Sequence, residues 1–442
     1  MMKALFYTLG CKVNQYETET MRKHLTENGY ETGDWTPGHA IDYPVVVIIN
    51  SCTVTAESDR KLRQLLRRCR RENPDAVIVV TGCMPQAFPE IAEHLLEADI
   101  ILGNATRSSL LQHIHTFLTT GKRIISISPH GSKFEPMHID AFSGHTRCFV
   151  KIEDGCNRFC SYCIIPYARG RVRSKPLSDL RMELESLAAN GYREIVLVGI
   201  NLTAYGQSEG YSIADAVQTA CSIDNICRVR LGSLEPDMLT DDSIRRFALY
   251  KNKLCPQFHL SLQSGCDATL KRMNRHYTVQ EYRDVCQKLR DSFPDCALTT
   301  DVMVGYPGED ENEFNASLSF VESIRFAKVH IFPYSRRPGT PAAQAKNQVS
   351  AAEKAARSRR MTAVCAMESE RYMRGFIGRT LEVLLENRTD EHWSEGFSPN
   401  YLPVRVKLPD AVAGTFLSVR ITDCSDGYLI GVPLHSNDNP CD

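Results

Sequence analysis

The chain has 442 residues, 43% of them hydrophobic, with a formal net charge of −1 and 17 cysteines, which is enough length and core for two or three domains. Its mean hydropathy is −0.28, and no apolar run approaches the roughly 20 residues of a membrane span, so no membrane-spanning helix is expected. The near-neutral balance also excludes a global attraction to a polyanion and leaves only local basic patches for that purpose. These lie at 60–71 (RKLRQLLRRCRR), at Arg169, Arg171 and Arg173, at Arg336 and Arg337, and at Arg357, Arg359, Arg360, Arg371 and Arg374.

The opening MMKALFYTLGCKVNQ lacks the apolar core and cleavage site of a signal peptide, so a cytoplasmic protein is expected. In that reducing compartment structural disulfides are disfavoured, and isolated cysteines such as Cys286 and Cys365 read as small buried hydrophobes.

In chain order, KALFYTL reads as a strand and 14–28 as a helix. VVVIIN at 45–50 is a continuous apolar run, the mark of a buried parallel strand. A helix at 56–72, a strand at 76–80, a helix at 87–96, IILG and a helix at 106–119 complete an alternating unit, which predicts a parallel sheet with helices on its faces over residues 1–118. Residues 119–145 read as a linker, polar and rich in Pro, Gly and His towards its end. Six further strand candidates follow at 148–152, 194–199, 227–232, 257–262, 297–305 and 328–334, with helical segments between them. They predict a partial (βα)6 TIM-like barrel over 146–371. From 372 to 438 the short runs TLEVLLE, PVRVKL, FLSVRI and YLIGVP predict a small β-barrel.

Two cysteine constellations stand out. Cys156, Cys160 and Cys163 form Cys-x-x-x-Cys-x-x-Cys in GCNRFCSYCIIPYARGR, directly after the strand-like FVKIE. Three cysteines in eight residues suit three corners of a 4Fe–4S cube and leave the fourth iron open for a small molecule. Cys11 (TLGCKVNQ), Cys52 (INSCTVT) and Cys83 (VTGCMPQ) each lie just past a strand of the first unit. Loops at the C-terminal ends of parallel strands share one edge, so these three should converge. A second cluster, a zinc site with a further ligand, and buried unligated thiols all remain open on these residues.

The segments TLGCKVNQYETE, INSCTVT, VTGCMPQ and GCNRFCSYCIIPYARGR, with SLEP, LSLQSG, LKRMNRHYT, TTDVMVGYPGE and HIFPYSRRPGT, resemble the methylthiotransferase family of radical S-adenosylmethionine (SAM) enzymes over nearly the whole chain. The resemblance implies an N-terminal methylthiotransferase domain, a radical SAM barrel and a C-terminal TRAM domain that binds RNA. The opening motif is similar to the branch acting on N6-threonylcarbamoyladenosine at position 37 of tRNA, whereas the isopentenyladenosine branch usually opens with Gly-Cys-Gln-Met-Asn and the ribosomal-protein aspartate branch with Gly-Cys-Pro-Lys-Asn.

The resemblance further implies two 4Fe–4S clusters, on Cys156/Cys160/Cys163 and on Cys11/Cys52/Cys83, and two SAM molecules per turnover. One SAM is cleaved to a 5′-deoxyadenosyl radical at the first cluster; the other supplies the methyl group of the sulfur carried by the second. An external one-electron reductant, a sulfur donor and the tRNA anticodon loop are the implied partners. Gly199 and Asn201 in GINLTAYG, Ser233, Glu235, Gln263 and Asp301 are the candidates for binding SAM. Arg169, Arg171 and Arg173 are the candidates for tRNA phosphates, and Arg379, Arg405, Lys407 and Arg420 are the cations the TRAM module offers. A competing reading of another class is a zinc-stabilised RNA-binding protein without catalysis.

Overall fold

A computed structural model describes residues 2–39, 45–388, 392–408 and 411–434; the end of the expected C-terminal module, 435–438, lies outside the described residues. The chain forms two compact units. One comprises Met1–Ile139, Glu153–Lys175 and Ser335–Ala343, the other Asp140–Ile152, Pro176–Tyr334 and Gln344–Asp442.

The first unit is built on a six-stranded parallel sheet. Its strands are β1 (Lys3–Thr8), β2 (Glu31–Asp34), β3 (Val45–Ser51), β4 (Val77–Gly82), β5 (Ile100–Leu102) and β6 (Ile124–Ser126), in the order β2-β1-β3-β4-β5-β6. The unbroken apolar run of β3 is explained by burial on both faces. Val45, Val47 and Ile49 pack with Leu62, Leu66 and Cys69 of helix α2 (Ala56–Glu72), while Val46 and Ile48 pack with Met21 and Leu25 of helix α1 (Lys12–Glu27). Helix α2 starts where Thr55 accepts a hydrogen bond from the Ser58 amide at 3.2 Å, a cap worth about 1 kcal/mol. Strands β2 and β6 are additions to the sequence reading. Each is short, and β6 falls inside the stretch expected to be a linker.

The second unit carries six successive parallel strand positions. They are β7 (Arg147–Lys151), β8 (Glu194–Val198), β9 (Arg228–Leu231) with β10 (Ser233–Leu234), β11 (Gln257–Leu260), β12 (Ala297–Val304) and β13 (Lys328–Pro333). Strands β9 and β10 are one strand interrupted at Gly232, whose amide still reaches the Leu197 carbonyl at 2.8 Å. Helices such as Leu177–Ala189, Val279–Ser292 and Glu311–Ile324 separate them, as the partial (βα)6 barrel requires.

The C-terminal strands β14 (Thr380–Arg388), β15 (Trp393–Phe397), β16 (Pro403–Lys407), β17 (Phe416–Ser425) and β18 (Tyr428–Pro433) close into a barrel, ordered β14-β15-β16-β18-β17. The fifth strand, β15, is absent from the sequence reading. Its Gly396 is required, because a Cβ there would stand 2.2 Å from the Leu384 carbonyl oxygen.

The larger barrel grips the small one through the first residues of its strands. Glu194 accepts from Arg230 Nε at 2.6 Å and from Arg228 Nη1 at 3.4 Å. Arg230 also donates to the carbonyls of Ser398 and Pro399, and Arg228 to the carbonyl and carboxylate of Glu382. Burial alone would push the Glu194 carboxyl up, but Arg230, Arg228 and Arg147 together hold it below the usual range.

Candidate active site

Cys11 opens α1 after β1, Cys52 follows β3, and Cys83 follows β4 and opens a helical turn, Cys83–Ala87. Strands β1, β3 and β4 are adjacent and parallel, so the three cysteines stand at one edge, at the strands' C-terminal ends. They are close enough to raise one another. Burial first, then the Cys83 charge, with a smaller push from Cys11, take the Cys52 thiol up to about 12, against a backbone hydrogen bond at Val54 and the Arg169 cation. Burial also pushes the Cys83 thiol up. Among the described residues no group of three or more His, Cys, Asp or Glu side chains is arranged to clasp a single metal ion, so the case for a larger inorganic group rests on how these loops are enclosed.

That enclosure is tight. Gly82 has φ +103°, and a Cβ there would stand 2.3 Å from the Ser51 carbonyl oxygen; a Cβ on Gly10 would stand 2.9 Å from the Cys52 Cβ. Cys11 Sγ donates to Asn14 Oδ1 at 3.3 Å, and Asn14 Nδ2 donates to Asn50 Oδ1 and the Ser51 carbonyl, each at 3.2 Å. Asn104 Nδ2 donates to Cys83 Sγ at 3.6 Å. Backbone close to sulfur and amide donors aimed at it are what a sulfide-rich cluster needs around it.

The second triad belongs to the same compact unit. Its loop is pinned where the Cys156 amide meets the Gly170 carbonyl at 3.0 Å and where Gly155, at φ +87°, lies so near Arg171 that a Cβ would stand 2.0 Å from that carbonyl oxygen. The Cys163 amide bonds the Cys160 carbonyl at 2.9 Å. The helical turn Ile165–Arg169 then runs back to the first triad, where Asn104 Nδ2, besides touching Cys83, donates to the Ala168 carbonyl at 3.0 Å. Segment Ser335–Ala343 ties both loops from another side. Arg337 Nη2 donates to Thr53 Oγ1 at 2.8 Å and to Asp59 at 2.6 Å, and the Ala342 amide donates to the Ser161 carbonyl at 2.9 Å. Thr53 follows Cys52, and Ser161 lies between Cys160 and Cys163.

Two of the three arginines assigned to RNA phosphates are corrected. Arg169 is fully buried, with Nη1 and Nη2 on the Glu17 carboxylate at 2.7 and 3.1 Å and Nη1 on Asp154 at 3.1 Å. Arg173 is buried too, facing Asp154 at 3.3 Å and donating to the carbonyls of Arg169 and Arg171. A buried cation with carboxylate partners is not offered to a phosphate. Arg171 is exposed, its guanidinium 4.6 Å from the centre of the Phe159 ring. Arg337, read as part of a basic patch, is likewise buried.

In the second unit the residues assigned to SAM collect at the C-terminal ends of the barrel strands. Gly199 follows β8 and is half-buried. Thr203 joins Asn201 to Glu235: its Oγ1 donates to Asn201 Oδ1 at 3.3 Å and accepts from the Glu235 amide at 2.7 Å. Ser233 is in register with His259, and His259 Nε2 lies 3.3 Å from the Asp301 carboxylate. Asp301 sits within β12, and its carbonyl accepts from the Gln263 amide at 2.8 Å. Gln263 has φ +70°, a conformation costing a non-glycine residue about 1–3 kcal/mol, and its buried Oε1 has no hydrogen-bond donor among the described residues. A ligand N–H or O–H would satisfy that oxygen.

Sequence reasoning left the motif MNRHYT without a role. Arg275 pairs with Glu235 and donates to the Ser261 carbonyl at 2.9 Å; the Tyr277 hydroxyl lies 2.7 Å from the carbonyls of Ser261 and Leu262. The motif therefore fixes the end of β11 and the Glu235 carboxylate. Glu17, Asn104, Thr203 and Arg337 were also missed. Glu17, Asn104 and Arg337 lie far in sequence from the residues they position, and no local pattern marks them, while Thr203 lies two residues from Asn201 but 32 from Glu235.

Residues 150–321 match the radical SAM superfamily, and residues 3–103 match a family described as Uncharacterized protein family UPF0004. The chain is 36% identical over 439 residues to the threonylcarbamoyladenosine tRNA methylthiotransferase MtaB of Bacillus subtilis (strain 168), covering 98% of this chain and 96% of that protein. It is 36% identical over 424 residues to the protein of the same name from Thermotoga maritima, covering 96% and 95%. It is 32% identical over 437 residues to a tRNA-2-methylthio-N(6)-dimethylallyladenosine synthase of Acetivibrio thermocellus, covering 96% and 89%. Among solved structures, the radical S-adenosylmethionine methyltransferase TsrM of Kitasatospora setae matches with a TM-score of 0.55 at 14% identity over 78% of this chain and 77% of that one, a likeness of fold. The radical SAM match brings SAM and 4Fe–4S chemistry with it. Identity above 30% along almost the full length of these relatives takes in both cysteine triads and the C-terminal barrel together, and the chain belongs to the radical SAM methylthiotransferase family.

Proposed function

We propose that this enzyme 2-methylthiolates N6-threonylcarbamoyladenosine at position 37, in the anticodon loop of tRNA. In this reading Cys156, Cys160 and Cys163 hold one 4Fe–4S cluster and Cys11, Cys52 and Cys83 a second. Two SAM molecules are used per turnover, with an external one-electron reductant and a sulfur donor, in the cytoplasm. The observation that carries the reading is that both cysteine triads fall in one compact unit, with Asn104 bonded to Cys83 and to the helical turn that follows Cys163. The substrate follows the names of the relatives at 36% identity.

The residues fit the groups they would hold. When bound, the cluster on the Cys-x-x-x-Cys-x-x-Cys loop supplies the electron that cleaves SAM, and the other cluster supplies the site for the transferred sulfur. Gly82 and Gly10 let backbone close on the second site, and Asn104 donates to a ligand sulfur. In the barrel, the unsatisfied Gln263 Oε1 and the Asn201–Thr203–Glu235 chain would orient SAM, with Gly199, Ser233 and Asp301 around them. The proposed domains are the methylthiotransferase domain (1–118), the radical SAM core (146–371) and an RNA-binding TRAM barrel (372–438). For the RNA, exposed Arg171 and the outward residues Lys61, Arg67 and Arg71 of α2 offer cations on the first unit, and Lys407 and Arg420 on the C-terminal barrel. Arg379 and Arg405 are engaged with Asp295 and Glu395, each at 2.6 Å.

Mass spectrometry of nucleosides from tRNA of a strain lacking this gene tests the substrate. Loss of the 2-methylthio form of N6-threonylcarbamoyladenosine, and of no other nucleoside, is expected. A second reading, action on isopentenyladenosine, rests on the 32% identity to the dimethylallyladenosine synthase and predicts loss of that methylthio nucleoside instead.

A further inference from the structure

We propose that Tyr167, braced by Phe159 and flanked by Arg171, is a stacking site for an unpaired nucleotide of the tRNA loop, and so positions the RNA against the Cys156/Cys160/Cys163 loop. The inference rests on tRNA being the substrate, and it deepens that reading by naming where the loop is held.

Tyr167 is the one exposed aromatic side chain among the described residues, at 51%. A scattered exposed Leu or Val needs no explanation, but every other described Phe, Tyr and Trp is buried or half-buried. Its place is specific as well. It lies four residues after Cys163, on the helical turn Ile165–Arg169, whose Pro166, Ala168 and Arg169 are buried while Tyr167 faces out.

The ring is fixed before any ligand arrives. The Tyr167 and Ala168 amides both bond the Ile164 carbonyl at 3.1 Å, and the Ala168 carbonyl accepts from Asn104 at 3.0 Å. Phe159 stands at 90° to the Tyr167 ring with centroids 6.1 Å apart, an edge-to-face arrangement that steadies both. A ring held in this way has little freedom left to lose on binding. Stacking on it is open to any base, because every base has a π-face.

The charge beside the ring points to a nucleotide. The Arg171 guanidinium lies 4.6 Å from the centre of the Phe159 ring, within cation–π range. Arg169 and Arg173, two residues to either side, are committed to Glu17 and Asp154. Arg171 is exposed and pairs with no carboxylate among the described residues. An aromatic platform with an uncancelled cation next to it suits a single strand: the ring takes the base and the planar guanidinium edge takes its phosphate.

The test measures binding of an anticodon stem-loop RNA carrying N6-threonylcarbamoyladenosine to the full-length, iron-loaded protein, by fluorescence anisotropy over a range of salt concentrations. Iron content reports whether each variant keeps its clusters. Tyr167→Leu, which keeps bulk and loses the ring, is expected to weaken binding about 5–150-fold with the salt slope unchanged. Tyr167→Phe is expected to bind close to the parent, because the ring remains. Arg171→Gln is expected to reduce the slope of log K against log salt by about 0.7, the mark of one lost phosphate contact on a single strand. Parent-like binding by iron-replete Tyr167→Leu would overturn the inference, as would equal losses in Tyr167→Leu and Tyr167→Phe. If Tyr167→Leu loses its iron, photo-crosslinking of the parent protein decides. RNA with 5-iodouridine at successive loop positions is expected to attach to Tyr167; attachment only elsewhere, or none, refutes the site. Should the parent itself bind no anticodon stem-loop, tRNA as the substrate has failed, and the inference with it.

Discussion

The two cysteine triads reach similar ends by opposite routes. Cys156, Cys160 and Cys163 sit within eight residues of one loop, whereas Cys11, Cys52 and Cys83 come from the ends of three different strands. The first triad depends on local backbone: Gly155 at φ +87° and Phe159 at φ +50° bend the short segment that carries its cysteines. The second depends on the register of a parallel sheet, which sets Thr8 beside Asn50 and Asn50 beside Thr81 and so brings the loops after three strands to one edge. A contiguous triad is therefore exposed to loop distortion, and a dispersed one to anything that shifts the sheet.

Removing ligands separates the two routes most sharply. Cys156→Ala is expected to abolish reductive cleavage of SAM, and thiolation with it. Cys11→Ala is expected to spare cleavage, read as 5′-deoxyadenosine, while thiolation of RNA falls to background. Normal thiolation by the Cys11 variant would end the assignment of the second triad.

Glycine substitution probes the same contrast one step back from the ligands. In Gly155→Ala the new Cβ meets the Arg171 carbonyl oxygen at 2.0 Å, and in Gly82→Ala the Ser51 carbonyl oxygen at 2.3 Å, both at positive φ. Each combines backbone strain of about 1–3 kcal/mol with a clash that forces main chain to move. Each variant is expected to bind about four irons instead of about eight, with Gly155→Ala losing SAM cleavage and Gly82→Ala keeping it. If both variants lose both clusters, the two routes are not independent.

The groups joining the triads come next in size. Asn104→Ala removes one donor from Cys83 and leaves the Ala168 carbonyl without that partner. A cost of about 1–3 kcal/mol in stability and a drop of 10–100-fold in thiolation are expected, with a much smaller change in SAM cleavage. Equal losses in both activities would mean that Asn104 serves the whole unit rather than the second centre.

How much of this was legible follows from the same contrast. The Cys-x-x-x-Cys-x-x-Cys loop is visible because its cysteines are contiguous, and the Cys11, Cys52 and Cys83 edge because parallel βα units repeat one geometry. The apolar run of β3 announced a doubly covered strand. Arg169 was misread because a guanidinium one residue before a glycine turn reads the same whether it is solvated or buried. What buries it is Glu17, 152 positions away. Arg337 is hidden in the same way by Asp59, 278 positions away. Strands β2, β6 and β15 are three to five residues long, too short for periodicity to distinguish them from loop.

The smallest effect is a pH dependence confined to the contiguous triad's side. His130 lies 3.1 Å from the Ala168 carbonyl, and its Cβ packs against Gly170. Burial first, with a smaller push from the Arg173 cation, holds its imidazole below its usual value of 6.5, although the Ala168 carbonyl opposes the shift. Below 6.5 the unfolded chain therefore takes up a proton that the folded chain resists, so stability present at higher pH is lost as pH falls from 6.5 towards the depressed folded value. Partial exposure keeps the effect below about 1 kcal/mol. The protection factors of the Ala168 and Gly170 amides, whose bonds run to Ile164 and Pro166, each taken against the intrinsic exchange rate at the same pH, are expected to fall on acidification from pH 7 to pH 5.5. The Leu9 amide, bonded to Asn50 beside the dispersed triad, is expected to keep its protection. In His130→Gln, which cannot take up a proton, the difference between the two pH values should vanish; its persistence would place the acid-sensitive group elsewhere.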